Sequence, residues 1–249
     1  MKDWYSGTYW HYRELTLRQY ADFVKGVLEL LRAAHPVFHS LEWVGDGKRK
    51  PVALAPDLSN VDDLVYRYSW GKKKDIRGPR KSDGTPSSEA TSVIGFGKVF
   101  NTGRSSKQGG ITVSVSAGIP DGFTPNSVVI SFPAPTEAAF PNQEFADYTF
   151  LLDLFKRIIR YTNPEKGLVN SLEYSNLIYG EGSQSSGWLT YFADPRCAEL
   201  AKEFETEEID FRGTLFTVGR GRMMIPPPPD AIEIGMRLRD RLKDLGVIK

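Results

Sequence analysis

The run Ile111-Thr-Val-Ser-Val-Ser-Ala117 alternates apolar and hydroxyl side chains without a break. Successive side chains on a strand point to opposite faces, so this run predicts a strand with one buried and one wet face. Its flanks, 103–110 and 118–126, carry Gly, Pro and Asn, the residues of tight turns. Strand-like runs at 93–100 and 127–132 lie on either side. Three strands joined by such turns predict an antiparallel meander.

Helical spacing is found elsewhere in the chain. Thr16 with Gln19 forms a capping box, and Leu17, Tyr20, Val24, Val27, Leu28 and Leu31 follow on one face until Pro36. Ser59 with Asp62 predicts a short helix through Val61, Leu64, Val65 and Tyr68. Asn142 predicts the start of a long helix carrying Phe145, Tyr148, Leu151, Leu152, Phe155, Ile158 and Ile159, with Asn163-Pro164 as its stop. Strands are read at 4–10, 168–177, 187–192 and 213–218. Asp194-Pro195 opens a short helix to Phe204. The prolines 226–229 form an extended spacer, and Asp230 with Glu233 begins a last helix bearing Ala231, Ile234, Leu238, Leu242 and Leu245. Strands and helices are segregated more than they alternate. That predicts an α+β fold, with antiparallel sheets and amphipathic helices packed on them. The proline-rich stretch 133–141 divides the chain into two consecutive α+β halves, 1–135 and 136–249.

Composition then narrows the function classes. With 40% hydrophobic and 25% charged residues, the 249-residue chain is neither disordered nor fibrous. It lacks the ~18 consecutive apolar residues of a membrane helix. Met1-Lys2-Asp3-Trp4-Tyr5 is not the start of a signal peptide. The single cysteine, Cys197, rules out an internal disulfide and fits a reducing, cytoplasmic compartment.

Candidate catalytic groups are few. His35 and His39 have a zinc-binding spacing, but Pro36 breaks the helix that would present them. Cys197 is framed by Arg196, Ala198 and Ala201 and reads as a helix-packing residue. The stretch 180–187 mixes Gly and Ser without the spacing of a nucleophile elbow and reads as a turn. Asp62/Asp63 and Glu207/Glu208 are adjacent carboxylates, which on a helix diverge by about 100°. The expectation is a protein without catalysis, cofactor or metal.

The net charge of +1 conceals a cancellation. Residues 48–81 carry ten bases and four acids, and residues 199–210 carry six acids and one base. Lys72, Lys73, Lys74, Arg77, Arg80 and Lys81 form the basic cluster, with Tyr66, Tyr68 and Trp70 just before it as possible stacking groups for a nucleic acid. The balanced total counts against that alternative. Glu203, Glu205, Glu207, Glu208 and Asp210 form the acidic cluster, a patch for a partner of opposite sign. Trp188, Tyr191 and Phe192 could anchor a partner, but strand packing is the better reading.

Several stretches taken in order resemble one family. They are the strand 4–10 running into the first helix, Pro36-Val-Phe38, and Gly95-Phe-Gly97 with Asn101 ahead of 111–118. Closest are Pro125-Asn-Ser-Val-Val-Ile-Ser-Phe-Pro133 and Gly187-Trp-Leu-Thr-Tyr191. The chain closes on Leu238-Arg-Asp-Arg-Leu-Lys-Asp-Leu-Gly-Val-Ile248. Together these resemble the immunity protein 52 family of bacterial polymorphic toxin and type VI secretion systems. The four-proline run and the Lys-rich loop 71–81 depart from the family's pattern. The resemblance implies a cytoplasmic antitoxin that binds and neutralises one secreted antibacterial effector. It further implies a nuclease effector with a restriction-endonuclease-like domain. The acidic cluster would then meet that nuclease's basic cleft.

Overall fold

The computed structural model describes residues 4–45, 50–68, 75–103, 110–120, 124–133, 145, 147–180, 186–209, 212–222 and 227–248. The chain forms two compact units. One takes the described residues of Tyr9–Ser105 and Gly110–Ile130, the other those of Met1–Thr8 and Ser131–Lys249. The fold is α+β, and every strand pair whose register is defined is antiparallel.

In the unit that includes Tyr9–Ser105, helix α1 (Leu17–Ala34) has the predicted capping box. Thr16 Oγ1 accepts from the Gln19 N–H at 3.2 Å, and Gln19 Oε1 accepts from the Thr16 N–H at 2.9 Å. His35 is extended, with φ −158°, and ends the helix ahead of Pro36. Tyr20, on the buried face of α1, reaches strands β6 (Phe96–Asn101) and β7 (Thr112–Ala117). Tyr20 donates its hydroxyl to the Val115 carbonyl at 2.8 Å, and its ring lies against Phe96. With β2 (Glu42–Trp43), β3 (Val52–Ala53) and β8 (Asn126–Phe132), the strand order is β3-β2-β6-β7-β8. Along β7, Val113, Val115 and Ala117 are buried while Thr112, Ser114 and Ser116 are half-exposed. That is the alternation read in the sequence. Helix α2 (Val61–Tyr68) packs on α1, and β4 (Ile76–Arg77) pairs with β5 (Thr91–Ser92).

Two details differ from expectation here. The run 93–100 is not one strand, because Gly95 turns the chain at φ +71° and only then does β6 begin. A side chain at Gly95 would collide with Ile119. Ser59 does not cap α2: its N–H donates to Asp57 Oδ1 at 3.1 Å. Asn60 anchors the entry instead, accepting from the Ala55 N–H and donating to the Ala53 carbonyl, both at 2.9 Å.

The other unit has strand order β11-β12-β10-β9-β1. Its strands are the first five residues of β1 (Trp4–Trp10), with β9 (Lys166–Ser171), β10 (Leu189–Phe192), β11 (Thr206–Glu207) and β12 (Thr214–Thr217). Helix α3 (Tyr148–Thr162) starts later than expected, at Asp147, whose carboxylate accepts from the Phe150 N–H at 2.8 Å. Asn142 lies outside the described residues. Phe145 is buried ahead of the helix. Asn163, left-handed at φ 47°, ends it. The stretch 168–177 is not one strand. At Ser171 it turns into helix α4 (Leu172–Tyr179), because the Ser171 hydroxyl accepts from the Tyr174 N–H at 3.1 Å and caps a new turn. The segment after Asp194 is a 3-10 helix, Pro195–Lys202.

Helix α5 (Pro229–Asp244) begins at the last proline of the spacer, with Pro228 extended before it and no side-chain cap. Asp230 therefore forms no terminal box. The buried face of α5 is Ala231, Gly235, Leu238 and Leu242, so Ile234 is only half-buried and Gly235 takes the core position. The reason is local. Tyr174 and Ile178 of α4 occupy the space where a side chain at 235 would stand, and Tyr174 donates to the Ala231 carbonyl at 3.3 Å.

Candidate functional site

The predicted acidic cluster lies in the second unit, and its members do not share one environment. Glu207, at the edge strand β11, is only 11% exposed at its side chain. It is met by Lys156 of α3 at 3.4 Å, Arg220 at 3.1 Å and the Tyr148 hydroxyl at 3.2 Å. Tyr148 also hydrogen-bonds Thr217 Oγ1 at 3.2 Å, and burial raises its hydroxyl pKa. Glu203 is gripped by Arg241 of α5, at 2.6 Å from Nη2 and 2.9 Å from Nε. That guanidinium holds the Glu203 carboxyl below its usual pKa. Glu205 and Glu208 are exposed, and Asp210 lies outside the described residues. Two acids of the run, Glu203 and Glu207, are thus paired in space by cations from α3, α5 and the turn after β12.

Beside this run is a groove of about 440 Å³. Phe204 and Ile234 give it apolar surface, and its charged lining is balanced, with Glu203, Glu205 and Asp230 against Arg220, Arg222 and Arg237. Arg222 pairs with Asp230 at 2.8 Å, which ties the turn 219–222 to the first turn of α5. The Arg237 guanidinium lies 5.6 Å from the centre of the Phe204 ring. Arg220 and Arg222 remain 58% and 44% exposed at their side chains. None of these arginines was singled out from the sequence. A signal was present nonetheless: Asp230, Ile234, Arg237 and Arg241 are spaced 4, 3 and 4 apart, which is one face of a helix.

The basic cluster is less assembled. Lys72, Lys73, Lys74 and Trp70 lie outside the described residues. Arg77, Arg80 and Lys81 are exposed. Arg80 donates to the Gly84 carbonyl at 3.1 Å, and Lys81 sits 5.8 Å from the Tyr66 ring centre, so both lean on their own surroundings. Trp188, Tyr191 and Phe192 are buried and pack within the unit.

His35, Asp63, Glu207 and Cys197 among the candidate catalytic groups have structural roles. His35 Nδ1 accepts from the Val37 N–H at 3.1 Å. Asp63 pairs with Arg67 at 2.6 Å on the surface of α2. Among the described residues, no three His, Cys, Asp or Glu side chains converge to hold a metal. Cys197 is fully buried, and desolvation pushes its thiol up to about 12. At pH 8 its thiolate fraction is then about 1 in 10,000, against about a quarter for an ordinary thiol of pKa ~8.5. The expected result is that a disulfide thiol reagent at pH 8 labels the denatured chain at least a hundredfold faster than the native one. Equal rates would show Cys197 to be accessible.

No described helix is long and apolar enough to cross a membrane. No curated protein matches the chain. Among solved structures, a type VI secretion (T6SS) protein of Pseudomonas aeruginosa is similar with a TM-score of 0.55. The superposition covers 95% of this chain and 72% of that one at 12% identity, a likeness of fold alone. The family model of immunity protein 52 matches residues 2–249, so this chain belongs to the immunity protein 52 family.

Proposed function

We propose that the chain is an antitoxin that binds a cognate secreted antibacterial toxin in the cytoplasm and neutralises it without catalysis of its own. The toxin is a nuclease effector of a type VI secretion system. The family match over 2–249 is the observation that carries this reading. A standard interface buries about 800 Å² per partner, enough to cover a nuclease active site. Glu205 and Glu208, two exposed carboxylates of the acidic run not held as Glu203 is by Arg241, are the contacts proposed to stand in for phosphates in a basic cleft.

Co-expression with the toxin encoded in the adjacent reading frame tests it. The expected result is restored growth and a complex that survives purification. The Glu205→Arg/Glu208→Arg variant is expected to bind at least tenfold more weakly. Absence of both protection and complex would sink the antitoxin reading. A bound toxin that cuts neither DNA nor RNA would remove only the nuclease assignment.

A further inference from the structure

We propose that the groove over Phe204 and Ile234 receives the tip of a toxin loop carrying an acidic side chain beside an apolar one. This rests on the antitoxin reading and assigns it a second contact, of opposite sign to Glu205 and Glu208.

A guanidinium carries five N–H donors in a rigid fork. Arg220 meets Glu207 through Nε, yet Glu207 also has Lys156 and Tyr148. Arg237 acts on Glu203 only at longer range, since Arg241 already holds both Glu203 oxygens. It lies over Phe204 instead. Arg220 thus shares its carboxylate with two other groups and Arg237 reaches one only at longer range, so both keep N–H donors for a ligand. A carboxylate from outside completes them, and the fork geometry favours a bidentate contact.

The apolar surface adds the second half of the fit. Phe204 is 9% exposed and Ile234 half-buried, so an apolar side chain entering beside the carboxylate covers both. Stacking on Phe204 restrains Arg237 before binding, which lowers the ordering cost of association. The volume of about 440 Å³ suits a loop tip and lies in the ordinary range of binding pockets, roughly 300–1,000 Å³. Glu203, Glu205 and Asp230 also line the groove, so a single carboxylate can sit on Arg220 or Arg237 away from them, whereas a run of phosphates would meet them. The occupant is accordingly a protein segment.

The test is the dissociation constant for the purified toxin at about 0.15 M salt, where the Debye length is about 8 Å. Arg220→Ala/Arg237→Ala leaves Glu207 with Lys156 and Tyr148, and leaves Arg222 on Asp230. This variant is expected to bind at least thirtyfold more weakly with an unchanged melting temperature. Arg157→Ala, which removes an exposed pair with Asp153 on α3, is expected to stay within threefold of wild type. If the double variant melts early, Ile234→Glu takes its place, putting a like charge where the acidic side chain enters, with the same loss expected. Wild-type binding with variants within threefold overturns the groove and leaves the antitoxin reading standing. An equal loss in Arg157→Ala also overturns it, as a general charge effect. No binding by wild type removes both.

Discussion

Replacing Trp4 by alanine is expected to lower the unfolding free energy by about 4 kcal/mol, the usual cost of emptying a fully buried indole site. Trp4 is 0% exposed. Its ring stacks on Phe132 at 4.2 Å and on Trp188 at 5.7 Å, and its Nε1 donates to the Pro133 carbonyl at 3.1 Å. Truncation leaves a void between two aromatic rings and a carbonyl without its donor. Trp4→Phe keeps the stacking and loses the hydrogen bond, so it should cost about 1–2 kcal/mol. Chemical denaturation followed by circular dichroism and by tryptophan fluorescence measures both. A loss below 1 kcal/mol in the alanine variant would mean that this stack does not hold the unit together.

Trp4 also shows what could be read in advance. The strand 4–10 was legible because its aromatic ends and central Gly mark an element by local pattern alone. The same holds for Thr16 with Gln19 and for the alternation 111–117, where each signal lies within a few residues. What was missed needed tertiary information. The stretch 168–177 is apolar enough for a strand, and only the competition between Ser171 as a cap and continued pairing splits it. Ile234 fits the helical spacing of α5, yet Gly235 is the buried residue because Tyr174 and Ile178 fill the space above it.

The candidate site was half legible for the same reason. The acids 203–208 stand out as a run, whereas their cations, Lys156, Arg220, Arg237 and Arg241, are scattered over the sequence and meet them only in the fold. Charge counted along a chain measures composition. The sign of a surface patch depends on which side chains the elements bring together. A protein with a total of +1 can thus offer exposed carboxylates at Glu205 and Glu208 beside guanidiniums with donors to spare.

A methyl group added at Gly187 is expected to cost about 3 kcal/mol, the upper range for overpacking a site that cannot yield. The added carbon would run into the Val169 carbonyl group and lie 3.0 Å from the Asn170 side chain. The obstacle is backbone, and it is held. Trp188 N–H donates to the Val169 carbonyl at 2.8 Å, and Leu189 pairs with Val169 in the β9–β10 register. Gly187 itself is bound on both sides by Thr190, whose Oγ1 accepts from its N–H at 2.8 Å and donates to its carbonyl at 3.1 Å. Any shift also pulls Asn170 away from Ser175 Oγ at 3.1 Å and from the Ser186 carbonyl at 3.2 Å, which links the strand to α4. Gly84→Ala is the matched control. Its φ is +78° but nothing lies within 4 Å of the added carbon, so only the left-handed backbone penalty of about 1–2 kcal/mol applies. Urea midpoints of the two variants separate the effects. If Gly187→Ala proves no costlier than Gly84→Ala, strand β9 must be able to move, and the close approach at Gly187 would not be what fixes the register of β9 and β10.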